Sequence, residues 1–317
     1  MIWLTYRQHR AEALVAAVLL ALVGLVGVVE GLRAPAVAAS LGLPCGTGSI
    51  LPGTCQGPLD QFRREFGWLS PTLPFLFILL PALVGPFLGA PLVAREHEFR
   101  TSLLVWSQGV TRTRWLATKL LLFGTALLAG AILLAAVAQV AEPAVSVTPM
   151  IWYQRIEWSF PVMVGTALFA LALGVFAGAL TRRVLAAMLI ALVAVGLARA
   201  GVVTQLRPAL VAPIVTSSRR TIPPDAWIVS SGYVDADGRA VPIERLIAAN
   251  NEFFRSGSQR SYNSDDYLAE KQGLYFRAAY QPKEREGIIE TAELGLYVSI
   301  ALALVAASLW LVRRRPA

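Results

Sequence analysis

Apolar residues along the chain fall into six long blocks that are separated by polar or mixed stretches. A helix that crosses a bilayer needs about 20 mainly apolar residues, because each residue rises about 1.5 Å through a hydrocarbon core about 30 Å thick. The blocks therefore predict an all-α polytopic membrane protein with six transmembrane helices. The first five lie at about residues 13–33, 73–94, 116–141, 159–181 and 184–206, and the sixth has its apolar run at 294–312.

The first block also has features of a cleaved signal peptide. Arg7 and Arg10 precede it, and Ala36-Val37-Ala38 resembles a small-residue cleavage site. Its apolar run is longer than a usual signal-peptide core, and further apolar blocks follow it. We interpret it as the first span and keep cleavage as the alternative.

Basic residues near the block ends predict the orientation of the spans, since Lys and Arg are enriched in short cytoplasmic loops. One side of the predicted membrane carries twelve of them, namely Arg7, Arg10, Arg95, Arg100, Arg112, Arg114, Lys119, Arg182, Arg183, Arg313, Arg314 and Arg315. The other side carries four, namely Arg33, Arg63, Arg64 and Arg155. This bias predicts a multi-pass cell-membrane protein with both termini in the cytoplasm.

The same topology divides the chain into three regions. Residues 1–206 are predicted to form a membrane domain with the first five spans, and residues 207–287 an extracytoplasmic domain. Residues 288–317 hold the sixth span and a cytoplasmic tail.

Local patterns in the extracytoplasmic region predict a small mixed α/β cap. The stretches Ala226–Val234 and Arg239–Ile243 flank Asp237-Gly238, a pair that favours a tight turn, and together they predict a hairpin. Helical spacing in Glu244–Phe254 and Asp265–Gln272 predicts two helices.

Cys45 and Cys55 are the only cysteines, too few for a disulfide scaffold. The orientation places them in a loop from Ala34 to Ser70 on the oxidising side of the membrane. They flank a Gly- and Pro-rich stretch that can close on itself, so we predict a disulfide that staples the loop. Two free thiols are the alternative.

Composition limits the chemistry of the chain. Its 317 residues are 56% hydrophobic and 15% charged, with a net charge of +8. The arginines cluster at the ends of apolar blocks and form no stripe beside aromatic residues, which argues against nucleic-acid binding. No Gly-x-x-x-x-Gly-Lys-Ser/Thr phosphate loop occurs, and His9 and His97 have no second metal ligand at useful spacing. We predict no catalytic residue, metal site or cofactor on this chain, and the lipid bilayer as a partner.

Some residues within the spans are candidates for a substrate path. Gln139, Arg199 and Gln205 are polar side chains inside apolar blocks. Arg199 can alternatively reach the outer surface by snorkelling. Pro81 and Pro86 remove backbone hydrogen bonds in the second span, which predicts a bent helix that lines a cavity or a helix with fixed kinks.

The stretch after the second span predicts a short amphipathic helix at the cytoplasmic surface, from Glu96 to Gln108. Phe99, Leu103 and Trp106 recur at helical spacing on one face. An ordinary interfacial loop is the alternative.

At this stretch the chain resembles the permease subunits of type-2 ATP-binding-cassette (ABC) transporters, especially an actinobacterial-style branch. The family pattern is a glutamate closely followed by a threonine, then Gln-x-x-x-Arg-x-Arg-Trp. It is filled here by Glu96 or Glu98, Thr101, Gln108, Arg112, Arg114 and Trp115. Trp3 to Arg10, and Tyr280-Gln281-Pro282 with Arg285 and Glu293, are also similar to that branch.

The resemblance implies a permease that pairs with a second permease copy or paralogue and with ABC ATPase subunits that bind ATP and Mg. It implies export, and it assigns ATPase coupling to Glu96, Glu98, Phe99, Arg100, Thr101, Leu103, Trp106 and Gln108. The residues themselves do not identify the substrate. The alternative function is a secondary transporter or channel without an ATPase partner.

Overall fold

The computed structural model describes residues 2–43, 55–99, 111–145, 152–257 and 263–314. Six of its helices are long and apolar enough to cross a membrane, which confirms the predicted all-α polytopic architecture. In chain order these spans are Arg10–Ser40, Leu69–Glu98, Arg112–Val145, Trp152–Thr181, Val184–Ala209 and Lys283–Arg314. The chain divides into two compact units, Met1–Val202 with Glu290–Ala317, and Val203–Ile289.

The spans are helical because the hydrocarbon core offers no water to backbone N–H and C=O groups, so each segment must satisfy its own. The α-helices are α1 Ile2–Ser40, α2 Gln56–Phe66, α3 Leu69–Val84, α4 Ala90–Glu98, α5 Arg112–Val145, α6 Trp152–Arg155, α7 Phe160–Thr181, α8 Val184–Gly201, α9 Ile243–Arg255, α10 Ser264–Gln272 and α11 Glu286–Arg314. A π-helical turn, Gly85–Gly89, joins α3 to α4 within the second span.

The second and fourth spans approach each other closely at glycines. A Cβ added at Gly174 would meet the backbone oxygen of Gly85 and would come within 2.8 Å of the backbone nitrogen of Ala90. A Cβ added at Gly178 would lie 2.6 Å from the carbonyl oxygen of Ala90. Small residues of this kind allow two helix backbones to pack directly in a membrane. The fourth span is accordingly the most buried of the six.

The first and third spans pack by the same device. A Cβ at Gly31 would meet the backbone of Val140, and one at Gly27 would lie 2.6 Å from a methyl carbon of Val137. On its other side the first span exposes large apolar side chains, such as Leu25. Such a surface suits contact with lipid.

The segment predicted as a loop from Ala34 to Ser70 is largely helical where it is described. α1 continues to Ser40, and α2 buries Phe62 and Phe66 in an apolar cluster to which the first four spans contribute. The loop prediction was wrong there because it ended the helix at polar residues. Polar residues are compatible with a helix that extends beyond the hydrocarbon core.

The second unit, Val203–Ile289, contains a small antiparallel sheet. Strands β1 Ile214–Thr216, β2 Trp227–Val234 and β3 Tyr275–Gln281 are ordered β1-β3-β2. α9 and α10 pack with the sheet through Ala249, Leu268 and Leu274, so the unit is mixed α/β as predicted.

The predicted hairpin is present but short, because its second arm forms a single bridge and no strand. The backbone N–H of Asp235 donates to the carbonyl of Arg239 at 3.0 Å, and Val234 forms an isolated bridge with Ala240. β2 instead pairs with β3, which follows it after two helices.

Candidate functional site

A buried ion pair lies where the second span meets the third. Lys119 donates to the Glu96 carboxylate, and the two side chains are 3% and 8% exposed. The Lys119 ammonium also donates to the carbonyl of Leu92 at 3.0 Å and lies 4.8 Å from the ring centroid of Trp115. Such a pair offsets its desolvation only when further hydrogen bonds satisfy the charges, and here the Leu92 carbonyl supplies one.

Glu98, two residues further on, contacts the fifth span. Its carboxylate accepts a 2.8 Å hydrogen bond from the backbone N–H of Val184, the first residue of α8. The first N–H groups of a helix have no partner within the helix and carry partial positive charge. Glu98 therefore caps the fifth span from a neighbouring helix.

Arg95 completes these connections by pairing with Glu12 of the first span at 3.1 Å. Within four residues, Arg95 to Glu98, the end of the second span thus contacts the first, third and fifth spans. A displacement of this end would be transmitted directly to three other helices. We call Arg95, Glu96 and Glu98 with their partners the span-end cluster.

The predicted coupling segment begins at this cluster. Phe99 is 67% exposed. The remaining predicted coupling residues lie outside the described residues, and these are Arg100, Thr101, Leu103, Trp106 and Gln108. The amphipathic helix from Glu96 to Gln108 stays a prediction.

A second buried polar group connects the last three spans of the first unit. One nitrogen of the Arg199 guanidinium, on the fifth span, donates to Glu293 and to the hydroxyl of Tyr297 on the sixth span, both at 2.9 Å. The other nitrogen pairs with Glu157, in the 3₁₀ turn just before α7. Arg199 is 8% exposed and Glu293 is fully buried. The snorkelling interpretation of Arg199 was therefore wrong, because carboxylates within the protein satisfy the guanidinium.

The predicted substrate-path residues do not form one site among the described residues. Pro81 and Pro86 are buried in the second span, whereas Gln139 and Gln205 are exposed. Arg199 belongs to the ion cluster described above. No hydrogen bond or ion pair connects these positions to one another within the described ranges, so their role in transport stays a prediction.

Cys55 is buried and disulfide-bonded. Its predicted partner, Cys45, lies outside the described residues. The pairing of these two residues therefore stays a prediction.

Sequence reasoning missed Lys119 and Glu157 as members of these buried groups. Lys119 served only as a topology signal, although it follows Trp115 by one helical turn and precedes a long apolar run. Intramembrane charges need partners of opposite charge. A search for complementary charges among the span ends would have indicated that basic and acidic residues pair there, but it would not have identified which residues form each pair.

The spans also match a family of known proteins. The model of the family described as "ABC-2 membrane transporter related" matches residues 15–207, which include three spans in full and most of the first and fifth. No curated protein and no solved structure matches the chain. The family match covers most of the first unit and every member of the span-end cluster except Glu12. The chain therefore belongs to the ABC-2 membrane transporter related family and is a multi-pass membrane permease of an ABC-type transporter.

Proposed function

We propose that this permease is part of an ATP-driven exporter. In this proposal it forms the substrate pathway with a second permease copy or paralogue, and separate ATPase subunits bind ATP and Mg. The observation that supports ATPase coupling is the span-end cluster. It connects the start of the predicted coupling segment, at Glu96 and Glu98, and the preceding Arg95 to three other spans.

The mechanism follows from these contacts. Closure of an ATPase dimer around ATP would displace the predicted coupling segment, Glu96 to Gln108. Lys119 would carry this displacement to the third span through Glu96, and Val184 would carry it to the fifth span through Glu98. Packed helices have discrete arrangements rather than continuous ones, so a small shift at their ends favours a change between inward and outward access.

The orientation that this mechanism needs has support from the contacts. Hydrogen bonds at one end of the bundle join Glu12, Glu96, Val184 and Val312 to charged partners. Most of the Lys and Arg near the span ends lie at this same end. An excess of Lys and Arg favours the cytoplasmic side. After cysteine substitution in a cysteine-free background, Thr113 should resist an impermeant label and Asp237 should react. The reverse pattern would invert the topology.

The docking role can be tested by removing the predicted apolar contacts of the coupling segment. The permease is copurified with its nucleotide-hydrolysing partner, with Phe99→Ala and Trp106→Ala introduced together. Hot-spot residues of this kind cost about 2 kcal/mol or more when truncated, so we expect at least roughly 30-fold weaker association. Permease-stimulated ATP hydrolysis should fall in parallel.

The matched control is Leu121→Ala, which truncates a large side chain on the third span that is 69% exposed. This variant should leave recovery of the complex unchanged. Unchanged recovery and unchanged ATP hydrolysis in the Phe99→Ala/Trp106→Ala variant would contradict the docking assignment.

An ion-coupled secondary transporter is the second candidate function, and the Arg199 cluster is the observation that favours it. Ionisable residues within spans often mark ion pathways. A chain of this class would transport its substrate without a nucleotide-hydrolysing partner. Transport by the purified permease alone, driven by an ion gradient, would favour this candidate over the exporter.

A further inference from the structure

One end of the first unit has a large excess of basic residues. The described residues at this end include only three glutamates, Glu12, Glu96 and Glu98, and each is engaged in a contact within the span-end cluster. Ten Lys or Arg accompany them, namely Arg7, Arg10, Arg95, Arg112, Arg114, Lys119, Arg182, Arg183, Arg313 and Arg314. The excess positive charge is therefore not neutralised by the described carboxylates.

The third and sixth spans bring part of this charge together. Arg112, at the start of the third span, donates to the carbonyl oxygen of Val312 near the end of the sixth span at 3.3 Å. This bond holds Arg112 at the residue that immediately precedes Arg313 and Arg314 in the chain. Arg313 and Arg314 are exposed and form no ion pair with any residue that the structure describes.

The same place has the apolar character of a membrane interface. The guanidinium of Arg314 lies 4.7 Å from the ring centroid of Trp310, a side chain that is 52% exposed. Trp is enriched at the headgroup level of bilayers because its ring is amphipathic. Below it, Leu302 is 65% exposed on the same helix, about two turns further into the span. A ligand here would meet guanidinium groups and then an apolar surface.

We propose that Arg112, Arg313 and Arg314, with Trp310, bind the headgroup of an anionic phospholipid. The phosphate oxygens accept hydrogen bonds from the guanidinium groups, a geometry that favours two parallel bonds per arginine. The acyl chains lie along the exposed apolar surface of the sixth span. This surface favours a lipid over a soluble phosphate, which would gain nothing from it. The inference does not depend on the proposed ATPase docking.

The bound lipid would connect the third and sixth spans. Arg112 follows Gln108, the last residue of the predicted coupling segment, by four residues. The headgroup would stabilise the contact between Arg112 and the end of the sixth span by neutralising the arginines around it. The site is thus placed to change the conformational equilibrium of the bundle according to the lipid composition of its leaflet.

The test measures lipid retention by the full-length permease. The protein is reconstituted in bilayers of phosphatidylglycerol and phosphatidylcholine at equal amounts, extracted in mild detergent, and subjected to native mass spectrometry. The wild type should retain phosphatidylglycerol in preference to phosphatidylcholine. An arginine near a membrane surface changes binding of anionic lipid about fivefold, so Arg313→Gln with Arg314→Gln should weaken retention roughly 30-fold. Arg313→Lys with Arg314→Lys should restore only part of the retention, because the charge remains but the two parallel hydrogen bonds of each guanidinium are lost.

Two control measurements distinguish a specific lipid site from a diffuse positive field and from a soluble anion site. Arg183→Gln removes an exposed charge at the same end, in the turn between the fourth and fifth spans, and should leave the preference intact. Inorganic phosphate added in excess should not displace the lipid. A variant is accepted only when it elutes from size-exclusion chromatography like the wild type. If the Arg313→Gln/Arg314→Gln variant does not, Arg314→Gln alone should show a fivefold loss of lipid retention.

Equal phosphatidylglycerol retention by the wild type and the folded Gln variants would overturn the proposal. Equal losses in the Arg183→Gln variant would also overturn it, because they would indicate a diffuse field instead of a site. Displacement by inorganic phosphate would identify a soluble anion site and not a lipid site.

Discussion

The buried pair between Glu96 and Lys119 gives the sharpest prediction on stability. Replacing Lys119 by Met leaves the Glu96 carboxylate, with its side chain 8% exposed, without its main counterion. It also removes the hydrogen bond to the carbonyl of Leu92. Removing one partner of a buried pair costs about 3–5 kcal/mol, most of which is the penalty of an uncompensated charge. Glu96→Leu should destabilise the protein by a similar amount.

The double variant Glu96→Leu/Lys119→Met should recover most of this loss. Replacing both members of a buried pair by apolar residues is often neutral or stabilising, because the desolvation penalty disappears with the charges. The coupling free energy between the two sites should therefore reach about 3 kcal/mol or more. The matched control is Arg95→Gln, whose pair with Glu12 is 52% and 27% exposed, and which should cost at most about 1 kcal/mol.

The assay is reversible unfolding of the purified permease by titration with a denaturing detergent, followed by far-ultraviolet circular dichroism. The free energies of unfolding of wild type, both single variants and the double variant are compared at one detergent mole fraction. Additive losses in the double variant would refute the electrostatic reasoning. The double variant also tests transmission of motion, since it should keep its stability but lose part of its ATP-coupled activity.

Three further predictions concern packing, the disulfide and pH. Gly174→Ala should destabilise the protein by about 1–3 kcal/mol, because its Cβ would meet the backbone of the second span, whereas Gly196→Ala, with open space around it, should be neutral or stabilising in the same unfolding assay. Mass spectrometry of non-reduced peptides should recover Cys45 linked to Cys55, and free alkylation of both thiols would contradict the bridge. Burial, together with a hydrogen bond to a carboxylate, raises the pKa of Tyr233. The contribution of Tyr233 to the free energy of unfolding should therefore be complete below the ordinary tyrosine pKa of about 10, and it should be lost as the pH rises through the raised pKa. Tyr233→Phe should remove this alkaline dependence of the unfolding free energy, and an unchanged profile would contradict it.

The number and approximate positions of the spans could be predicted because the membrane imposes a local requirement. Each span must supply its own run of about 20 apolar residues, so no knowledge of its neighbours is needed. The ends of the helices could not be predicted in the same way. The predicted first span ended at Arg33 because this residue is charged. In the structure Arg33 pairs with Glu30 on the same helix and with Glu65 on α2, both at 2.8 Å. These polar contacts allow the first helix to continue to Ser40.

The buried ion groups depend on partners that are distant in the sequence. Glu96 and Lys119 are 23 residues apart, and Arg199 and Glu293 are 94 residues apart. No local pattern identifies such pairs. The same reason explains why β3 was missed, since Trp227 of β2 pairs with Gln281 of β3. The helices of the second unit needed only local periodicity and were predicted to within a residue or two.

The distribution of buried charge indicates how the helix bundle can be both stable and able to change conformation. The span-end cluster joins the second span to the first, third and fifth spans, and the Arg199 cluster joins the fifth span to Glu157 and to the sixth. Through the contacts described above, the fifth span takes part in both groups. Val184 and Arg199 are 15 residues apart on it, which corresponds to about 23 Å of helix. The charged contacts at Val184 and at Arg199 depend on direction, so a shift of the fifth span either keeps both groups of contacts or breaks both. Small buried residues between them, such as Ala187, lower the energetic cost of sliding this helix past its neighbours. A displacement that starts beside Phe99 therefore has a rigid route along this helix to the opposite end of the bundle.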